Sequence, residues 1–254
     1  MSAKFSEIPL DRSCKIIKVH ECGIWAFDKA PGVLSHPNNA KQKVNRQSRT
    51  LLSATYDESE EAYYWKNRNG KEEKMYLLHR LDSPTSGVIL GATSSRVARC
   101  IKGVFAERGA YKAYHAIVIP STKPFRNDTW KDNLVEKRVE GKIRVGRGKG
   151  NLAITKAFIE KERVGRFGLS LLKLIPQTGR THQLRVQCAL RRMPVLGDKN
   201  YGNFATNRKL AKASKLDRLF LHASNLELSV EINGKKVIFR AESPLPPAFE
   251  SLIC

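Results

Sequence analysis

The segment at residues 79–87, HRLDSPTSG, constrains the fold more than any other part of this sequence. Pro84 lacks a backbone N–H and biases the residue before it toward extended geometry, so a helix cannot run through this point. Gly87 tolerates backbone angles that other residues avoid. Apolar runs flank the segment on both sides. We therefore expect Asp82 on a stiff loop, the kind of position at which a rigid scaffold presents a reactive side chain.

This segment has two simpler interpretations. Aspartate is common in exposed turns, and the segment alone does not exclude that role for Asp82. A protein-kinase catalytic loop is excluded, because Leu81 separates Arg80 from Asp82 and the chain has neither the glycine-rich loop nor the D-F-G motif of kinases.

The charge of the chain indicates a polyanionic partner. It has 254 residues with 46 Lys and Arg against 24 Asp and Glu, a formal net charge of +22 and a pI near 10.0. Hydrophobic residues make up 41% of the chain, which is ordinary for a folded domain. Nucleic acid fits this charge best, because neutralising phosphates releases counterions.

A membrane surface is the competing polyanion. No apolar run reaches the roughly 18–20 residues of a spanning helix, and the first residues lack the apolar core of a signal peptide. We therefore expect no membrane association and a cytoplasmic location. The five cysteines are scattered and odd in number, which indicates reduced, mostly buried thiols rather than disulfides or a zinc site.

Short strand-like runs outnumber helix-like ones, and no regular β-α-β alternation is present. This predicts an α+β protein with a largely antiparallel mixed β-sheet and flanking helices. A polar stretch at 56–74 is expected to be a surface insertion. Helices are predicted at 44–55 (weakly), at 94–108, at 180–192 and after Pro247. Strands are predicted at 14–19, 23–27, 88–92 and 111–119, with several more between 129 and 175. A hairpin of strands 220–230 and 236–241 is predicted around Asn233-Gly234.

Two basic segments are candidates for contact with RNA phosphates. A charge run by itself usually indicates only a solvated face, but the net charge of the whole chain favours phosphate binding for at least one of them. The residues concerned are Lys142, Arg144, Arg147 and Lys149 in the first segment, and Arg208, Lys209 and Lys212 in the second.

Three further motifs accompany Asp82. They are KAYHA at 112–116, GRTHQLR at 179–185, and DKAPGVLSHP at 28–37. Tyr114 in the first offers a flat ring for stacking on a base and a hydroxyl able to relay a proton. A buried carboxylate needs a positive partner or it becomes protonated, and Arg185 in the second could supply that charge to Asp82. Arg180 and Arg185 could equally be surface cations on a helix that faces RNA.

Together these motifs resemble those of the RluA-type pseudouridine synthases. The matching patterns are H-R-L-D-x-x-T-S-G, K-x-Y-x-A and G-R-[ST]-H-Q-[IL]-R, in the family's order, and the resemblance covers roughly residues 14–247. The motif DKAPGVLSHP at 28–37 departs from the family's D-K-P-x-G pattern, because alanine and proline are exchanged. Gln187 and Met193 stand where histidine is common.

The resemblance implies a pseudouridine synthase fold with a central RNA-binding cleft, and a role for each matching residue. Asp82 is the catalytic nucleophile, Arg185 forms a salt bridge with it, and Tyr114 stacks near the target uracil and takes part in proton transfer. Arg80 fills the gap left by the extruded base, and Leu184 lines the uracil pocket. His182 is expected to be a structural, hydrogen-bonded histidine near Arg180 at the substrate site, and the motif at 28–37 is expected to pack beneath the active site.

The function implied is isomerisation of uridine to pseudouridine in ribosomal or transfer RNA. The resemblance leaves open whether Asp82 attacks C1′ or C6 or acts through a glycal. No cofactor and no metal are expected, and a monomer is the simplest assembly. Residues 1–13 are expected to be an N-terminal extension and 14–254 one catalytic domain, without the S4-type RNA-binding domain of some family branches.

Two alternatives remain open. One is a non-catalytic RNA-binding or ribosome-assembly protein on the same scaffold. The other is an RNA glycosidase or nuclease that uses a carboxylate, although such hydrolases usually need paired acids or a metal and no second acid flanks Asp82.

Overall fold

A computed structural model of the protein describes residues 8–37, 49–122, 126–139 and 142–254. The chain divides into two compact units. The first unit comprises Met1–Ala110 and Asn225–Ser243, and the second comprises Tyr111–Ser224 and Pro244–Cys254.

Strands dominate both units, and most of them pair antiparallel with their neighbours. The α+β class and the largely antiparallel pairing are therefore confirmed. The strands are β1 (Lys15–Val19), β2 (Ile24–Lys29), β3 (Thr55–Asp57), β4 (Ala62–Lys66), β5 (Glu72–Leu77), β6 (Ser86–Ala92), β7 (Tyr111–Val118), β8 (Asp128–Val139), β9 (Lys142–Arg147), β10 (Asn151–Val164), β11 (Leu169–Pro176), β12 (Leu221–Ile232) and β13 (Lys235–Glu242). The helices are α1 (Ser95–Ala106), α2 (Gln183–Leu190), α3 (Phe204–Ser214) and α4 (Pro247–Ile253).

In the first unit, β6 pairs with β2 on one side and β5 on the other, and every residue of β6 is buried. Strand β1 extends this sheet beyond β2, and β4 and β3 extend it beyond β5. One face packs against α1, whose Val97 and Ile101 recur at helical spacing and enter the core. The helix predicted at 94–108 is thus confirmed.

In the second unit, the strands lie in the order β7-β11-β10-β8-β9. A core that includes Trp130 lies against the strands and also contains residues of α2. A second core includes Phe220 and Phe249 and brings α4 against the unit. The predicted C-terminal helix is confirmed.

The hairpin predicted around Asn233-Gly234 is also confirmed, because β12 and β13 pair in register from Asn225–Glu242 to Ile232–Lys235. Asn233 has φ 54° and Gly234 has φ 72°. These are the two positive angles that a tight type I′ hairpin turn requires, and Asn-Gly is the pair that adopts them most readily.

Three expectations were wrong. The stretch at 56–74 is not a surface insertion: it forms β3, β4 and part of β5, and Tyr63 within it is fully buried. Of the helix weakly predicted at 44–55, residues 44–48 lie outside the described part of the chain. Residues 49–54 are not helical, because Thr50 forms an isolated β-bridge with Leu34 and Leu52 forms one with Leu10. The helix at 180–192 is shorter than predicted, and a basic stretch at 204–214 proves to be α3.

No helix in the described ranges is long and apolar enough to cross a bilayer. The five cysteines are free; Cys14 and Cys188 are buried, Cys22 and Cys100 are half-buried, and Cys254 is exposed.

Candidate active site

Asp82 lies on the loop between β5 and β6 in the first unit and is half-buried. The backbone N–H of Thr85 donates to the carbonyl of Asp82 at 3.0 Å, which closes a tight turn across Pro84. Gly87 pairs with Lys29 of β2, and its φ of 109° is an angle that residues with a side chain rarely adopt. The stiff loop predicted from the sequence is therefore confirmed.

A fully buried lysine holds this loop from beneath. Lys29 is 0% exposed, and its Nζ donates to the backbone carbonyls of Ala30 (3.0 Å), Val33 (2.7 Å) and Ser83 (3.0 Å). The N–H of Gly32 donates to the same Ser83 carbonyl at 2.8 Å. These bonds join the turn after β2 to Ser83, the residue after Asp82. We call this set of hydrogen bonds from Lys29 and Gly32 the clamp; it gives a specific form to the packing role expected for residues 28–37.

We expect Lys29→Met to lower the free energy of unfolding by about 2–4 kcal/mol, because it removes the donor shared by three carbonyls within the protein. Urea denaturation followed by fluorescence measures this change. Lys15→Met, at an exposed position of the adjacent strand β1, is the matched control and should change stability by less than about 0.5 kcal/mol. Equal stability of the two variants would contradict the clamp.

The residue before Asp82 is fixed from another direction. The Oγ of Ser35 accepts from the N–H of Leu81 at 3.0 Å and donates to the Leu81 carbonyl at 2.8 Å. Arg80 is exposed, and its Nη1 donates to Nε2 of His36 at 3.1 Å. Nε2 of His79 accepts from the N–H of Leu90 at 3.1 Å, so His79 has a structural role.

The other expected catalytic residues belong to the second unit. Tyr114 lies on β7 opposite Leu174 of β11 and is half-buried. It packs against an apolar cluster that also contains Leu184 of α2, which is 7% exposed. A tyrosine ring and the predicted pocket-lining leucine are thereby part of one cluster.

Arg185 is buried on α2 and is held by a carboxylate that was not predicted from the sequence, that of Asp198. Its Nε and Nη2 donate to Oδ2 and Oδ1 of Asp198 at 2.7 and 2.8 Å, and the two residues are 3% and 1% exposed. The backbone N–H groups of Asn200 and Tyr201 also donate to Oδ1, at 2.8 and 3.0 Å. Burial would raise the pKa of the Asp198 carboxyl, but Arg185 and these two amides outweigh it and hold that pKa below its usual value.

The bidentate pair fixes the plane of the guanidinium. An arginine presents five N–H donors in a rigid fork, so one edge can bind Asp198 while the remaining edge is directed elsewhere. The ring of Tyr201 lies 5.2 Å from Cζ of Arg185 and supports the guanidinium on its face. The interpretation of Arg185 as a surface cation is wrong, because it is buried.

Helix α2 begins at Gln183 rather than at Arg180 because the loop before it has its own hydrogen bonds. Oε1 of Gln183 accepts from the Thr178 hydroxyl (2.7 Å) and from the N–H of Arg180 (3.0 Å), while its Nε2 donates to Thr155 (2.9 Å). His182, just before the helix, has φ 53° and so lies in the left-handed region. The loop is tied to β10 in a shape that a continued helix would not allow.

His182 and Arg180 lie on this same loop. Nδ1 of His182 is 2.7 Å from the hydroxyl of Tyr201, and that hydroxyl accepts from the N–H of Val145 at 3.0 Å. A hydrogen-bonded histidine is what we expected here. Arg180 donates through Nε to the Leu152 carbonyl at 3.4 Å.

A second buried network lies one turn further along α2. Gln187 is 0% exposed; its Nε2 donates to Oδ2 of Asp132 at 2.8 Å, and its Oε1 accepts from the Thr155 hydroxyl at 2.7 Å. Arg191 donates to the same carboxylate oxygen at 2.8 Å and lies over the ring of Trp130 at 4.6 Å. Strands β8 and β10 are thus joined to the helix that carries Arg185.

The candidate RNA-backbone residues occupy two elements of the second unit. Lys142, Arg144 and Arg147 are on β9, and Lys149 follows it; Arg208, Lys209 and Lys212 are on α3. The three α3 residues are exposed, as are Arg147 and Lys149. Arg144 differs, because it is half-buried and its Nη1 donates to Asn200 at 2.5 Å.

Lys29, Asp198 and Tyr201 were not predicted as part of the site. Lys29 belongs to the motif DKAPG at 28–32, to which only a packing role was assigned, and Asp198 and Tyr201 belong to the segment GDKNYG at 197–202. Among the residues that the structure describes, no three His, Cys, Asp or Glu side chains come together as a metal site would require.

Two solved structures share this fold over almost the whole chain. They are human RNA pseudouridylate synthase domain containing 1 (TM-score 0.65, 21% identity, 94% of this chain and 88% of that one) and human RNA pseudouridylate synthase domain containing 4 (TM-score 0.61, 22% identity, 93% and 90%). The fold is that of a pseudouridine synthase domain, as expected.

Sequence comparison gives the family. Residues 23–190 match the family model described as RNA pseudouridylate synthase. The chain belongs to this family, the RluA-type enzymes, and is therefore an RNA pseudouridine synthase, an isomerase.

Three relatives illustrate the range of the match. The tRNA pseudouridine synthase C of Yersinia pestis is 33% identical over 66% of this chain and 69% of its own length. The ribosomal large subunit pseudouridine synthase C of Rickettsia prowazekii is 35% identical over 66% of this chain and 53% of its own length. An uncharacterized RNA pseudouridine synthase of Mycobacterium bovis is 31% identical over 96% of this chain and 73% of its own length.

Proposed function

We propose that this enzyme isomerises uridine to pseudouridine in transfer or ribosomal RNA, with Asp82 as the nucleophile. Family membership supports the reaction, and the names of the relatives support the two RNA classes. The observation that carries the residue assignment is the buried Arg185–Asp198 pair, because it presents a fixed guanidinium from the motif in which the family places the partner of its nucleophile.

In the proposed mechanism the target nucleotide leaves the RNA helix, at a cost of about a few kcal/mol for unstacking. Leu184 and Tyr114 receive the base, and Arg185 pairs with Asp82 to keep it ionised and oriented. Asp82 drives cleavage of the bond between N1 and C1′. The uracil rotates and rejoins the ribose through C5, C5 loses its proton with Tyr114 as the relay, and N1 gains one. The product is an isomer, so the reaction needs neither a cofactor nor a group donor.

The direct test uses RNA from a strain that lacks this protein. Transfer and ribosomal RNA fractions are incubated with the purified enzyme, and new pseudouridines are mapped by chemical derivatisation and sequencing. We expect one or a few uridines to be converted. Binding without conversion would favour the non-catalytic RNA-binding alternative, and free uracil or strand breaks would favour a glycosidase or nuclease.

We further propose that phosphates are bound by α3 and by the β8–β9 hairpin. In this hairpin and directly after it, Lys137, Arg147 and Lys149 are exposed. On α3, Arg208, Lys209 and Lys212 are exposed. This arrangement suits a polyanion better than bulk water.

Neutralising these residues should weaken RNA binding and its dependence on salt. For Arg208→Gln/Lys209→Gln/Lys212→Gln, we expect the slope of log affinity against log salt concentration to fall by about 0.7–0.9 for each phosphate that the variant no longer neutralises. Filter binding at several salt concentrations measures this slope. Lys137→Gln/Lys149→Gln tests the hairpin in the same way. Arg144 and Arg147 are omitted because Arg144 donates to Asn200 and Arg147 lies 3.6 Å from the buried carboxylate of Asp132.

The matched control neutralises three exposed basic residues of the first unit, Arg68, Lys235 and Lys236. If the control variant and the α3 variant change the salt slope equally, binding reflects net charge rather than the proposed surface.

We also propose that the enzyme acts as a monomer in the cytoplasm. Light scattering measures the assembly state, and cell fractionation measures the location.

A further inference from the structure

Arg80 and His36 form a contact whose hydrogen positions can be assigned. Nδ1 of His36 is 2.8 Å from the carbonyl of Pro37, and a carbonyl only accepts, so Nδ1 carries the proton. In the neutral ring Nε2 is then an acceptor. Arginine only donates, and Nη1 of Arg80 lies 3.1 Å from Nε2. Both neighbours of the imidazole therefore select the same tautomer.

The ring of His36 is itself held in place. It stacks on Tyr56 with centroids 5.1 Å apart and an interplanar angle of 18°, and Tyr56 meets Tyr63 edge-on at 4.9 Å. The hydroxyl of Tyr63 donates to the carbonyl of Ser35 at 2.6 Å. Two consecutive residues, Ser35 and His36, are thus anchored by aromatic side chains of β3 and β4.

Ser35 and His36 also form hydrogen bonds with the loop that carries Asp82. Ser35 bonds both backbone groups of Leu81, and His36 bonds the side chain of Arg80. Burial raises the pKa of Tyr56 to about 12, while the positive charge of Arg80 acts in the opposite direction, consistent with a guanidinium close to this stack. An exposed arginine is thereby held next to a flat aromatic surface.

We propose that His36 is a positioning residue for Arg80, holding its guanidinium ready to enter the space that the flipped nucleotide leaves in the RNA helix. This inference rests on the proposed function and on the role that the family resemblance implies for Arg80, which is to fill that space. A free arginine side chain loses rotamer entropy when it is fixed. Ordering Arg80 before RNA binds reduces that cost, which is the usual advantage of a preorganised contact.

Two variants separate the hydrogen bond from the stacking. His36→Phe keeps a ring over Tyr56 but removes the acceptor, whereas His36→Gln keeps an acceptor oxygen near the position of Nε2. They are compared on two synthetic RNAs that contain the mapped target uridine, one fully paired and one with a mismatch opposite the target. A mismatched base is already partly unstacked, so it needs less help to leave the helix.

We expect His36→Phe to lower kcat/KM on the paired RNA by about 10-fold, the effect of losing one hydrogen bond to a charged group, and by less than about 2-fold on the mismatched RNA. His36→Gln should recover most of the loss. His36→Phe/Arg80→Ala should be no worse than Arg80→Ala alone, because the two residues act together. His20→Phe is the control, since His20 is also half-buried and lies edge-on to an aromatic ring, that of Phe239.

Equal losses on both RNAs, or no recovery with His36→Gln, would assign His36 a merely structural role and overturn the proposal. A second readout separates this outcome from a failure of the proposed function. A 2-aminopurine beside the target reports unstacking by its fluorescence, whether or not pseudouridine forms. If wild-type protein unstacks the RNA without making product and His36→Phe does not, the positioning role stands and the reaction assignment fails.

Discussion

Asp82→Asn is expected to lower the rate of pseudouridine formation by about 10⁴-fold or more, the size of effect seen when a covalent nucleophile is removed. Asparagine has nearly the same shape, and the turn at this position is closed by the backbone carbonyl of residue 82, which accepts from the N–H of Thr85 at 3.0 Å. The loop should therefore fold normally. Single-turnover assays measure the rate, and filter binding should give an RNA affinity within about 3-fold of wild type.

Asp57→Asn is the matched control for this variant. Asp57 also lies at a turn of the first unit, where its carboxylate accepts from the N–H of Ser59 at 2.7 Å and from that of Glu60 at 3.3 Å. Its loss should leave catalysis unchanged. Substantial turnover by Asp82→Asn would remove the nucleophile assignment, even if the family assignment stands.

Asp198→Ala is expected to lower the free energy of unfolding by about 3–5 kcal/mol, the usual cost of removing one member of a buried, bidentate ion pair. Arg185 is 3% exposed and cannot turn to water, and two backbone amides lose their acceptor as well. Asp198→Asn should cost less, because its side-chain oxygen can still accept. Urea denaturation gives the stability, and kcat should fall with it because Arg185 is no longer held.

Asp217→Asn provides the control, because Asp217 also pairs with a cation, Lys199 at 3.0 Å, but is 66% exposed. Exposed pairs contribute about 0–1 kcal/mol, so this variant should be nearly neutral. Comparable losses in the two variants would contradict the role of burial.

The dependence of stability on pH gives a further check on Asp198. Its carboxyl has a lowered pKa in the folded protein, so the stability it contributes is fully present above the unfolded value of about 3.9. That contribution is lost as the pH falls from there through the lowered folded pKa. Asp198→Asn should therefore lose less stability than wild type across this acid range.

The parts of the structure that the sequence predicts well depend on local rules. Pro84 and Gly87 predict the loop of Asp82, Asn233-Gly234 predicts a hairpin, and helical spacing predicts α1. Each of these follows from backbone geometry within a few residues. The motifs also identified the family, because several occur together in the right order.

The parts that it missed depend on distant partners. Tyr63 looked like part of a polar insertion, yet it is buried because β4 pairs with β3 and β5. Helix α3 was not predicted, because its basic residues are exposed and it has only one buried residue, Leu210, so its sequence shows no apolar periodicity. The Arg185–Asp198 pair joins residues 13 positions apart across a turn, and no periodicity predicts such a contact.

Gln187 places an amide, rather than a side chain that titrates near neutral pH, in the buried network beside α2, and this has a consequence for the acid tolerance of the enzyme. An imidazole at this site would gain a proton somewhere between about pH 5 and 8 and exchange an acceptor for a donor. The amide of Gln187 has no such transition, so its bonds to Asp132 and Thr155 keep the same polarity across that range. The hydrogen bonds of Gln187 should accordingly stay intact in mildly acidic conditions that would rearrange them if a histidine stood at this position.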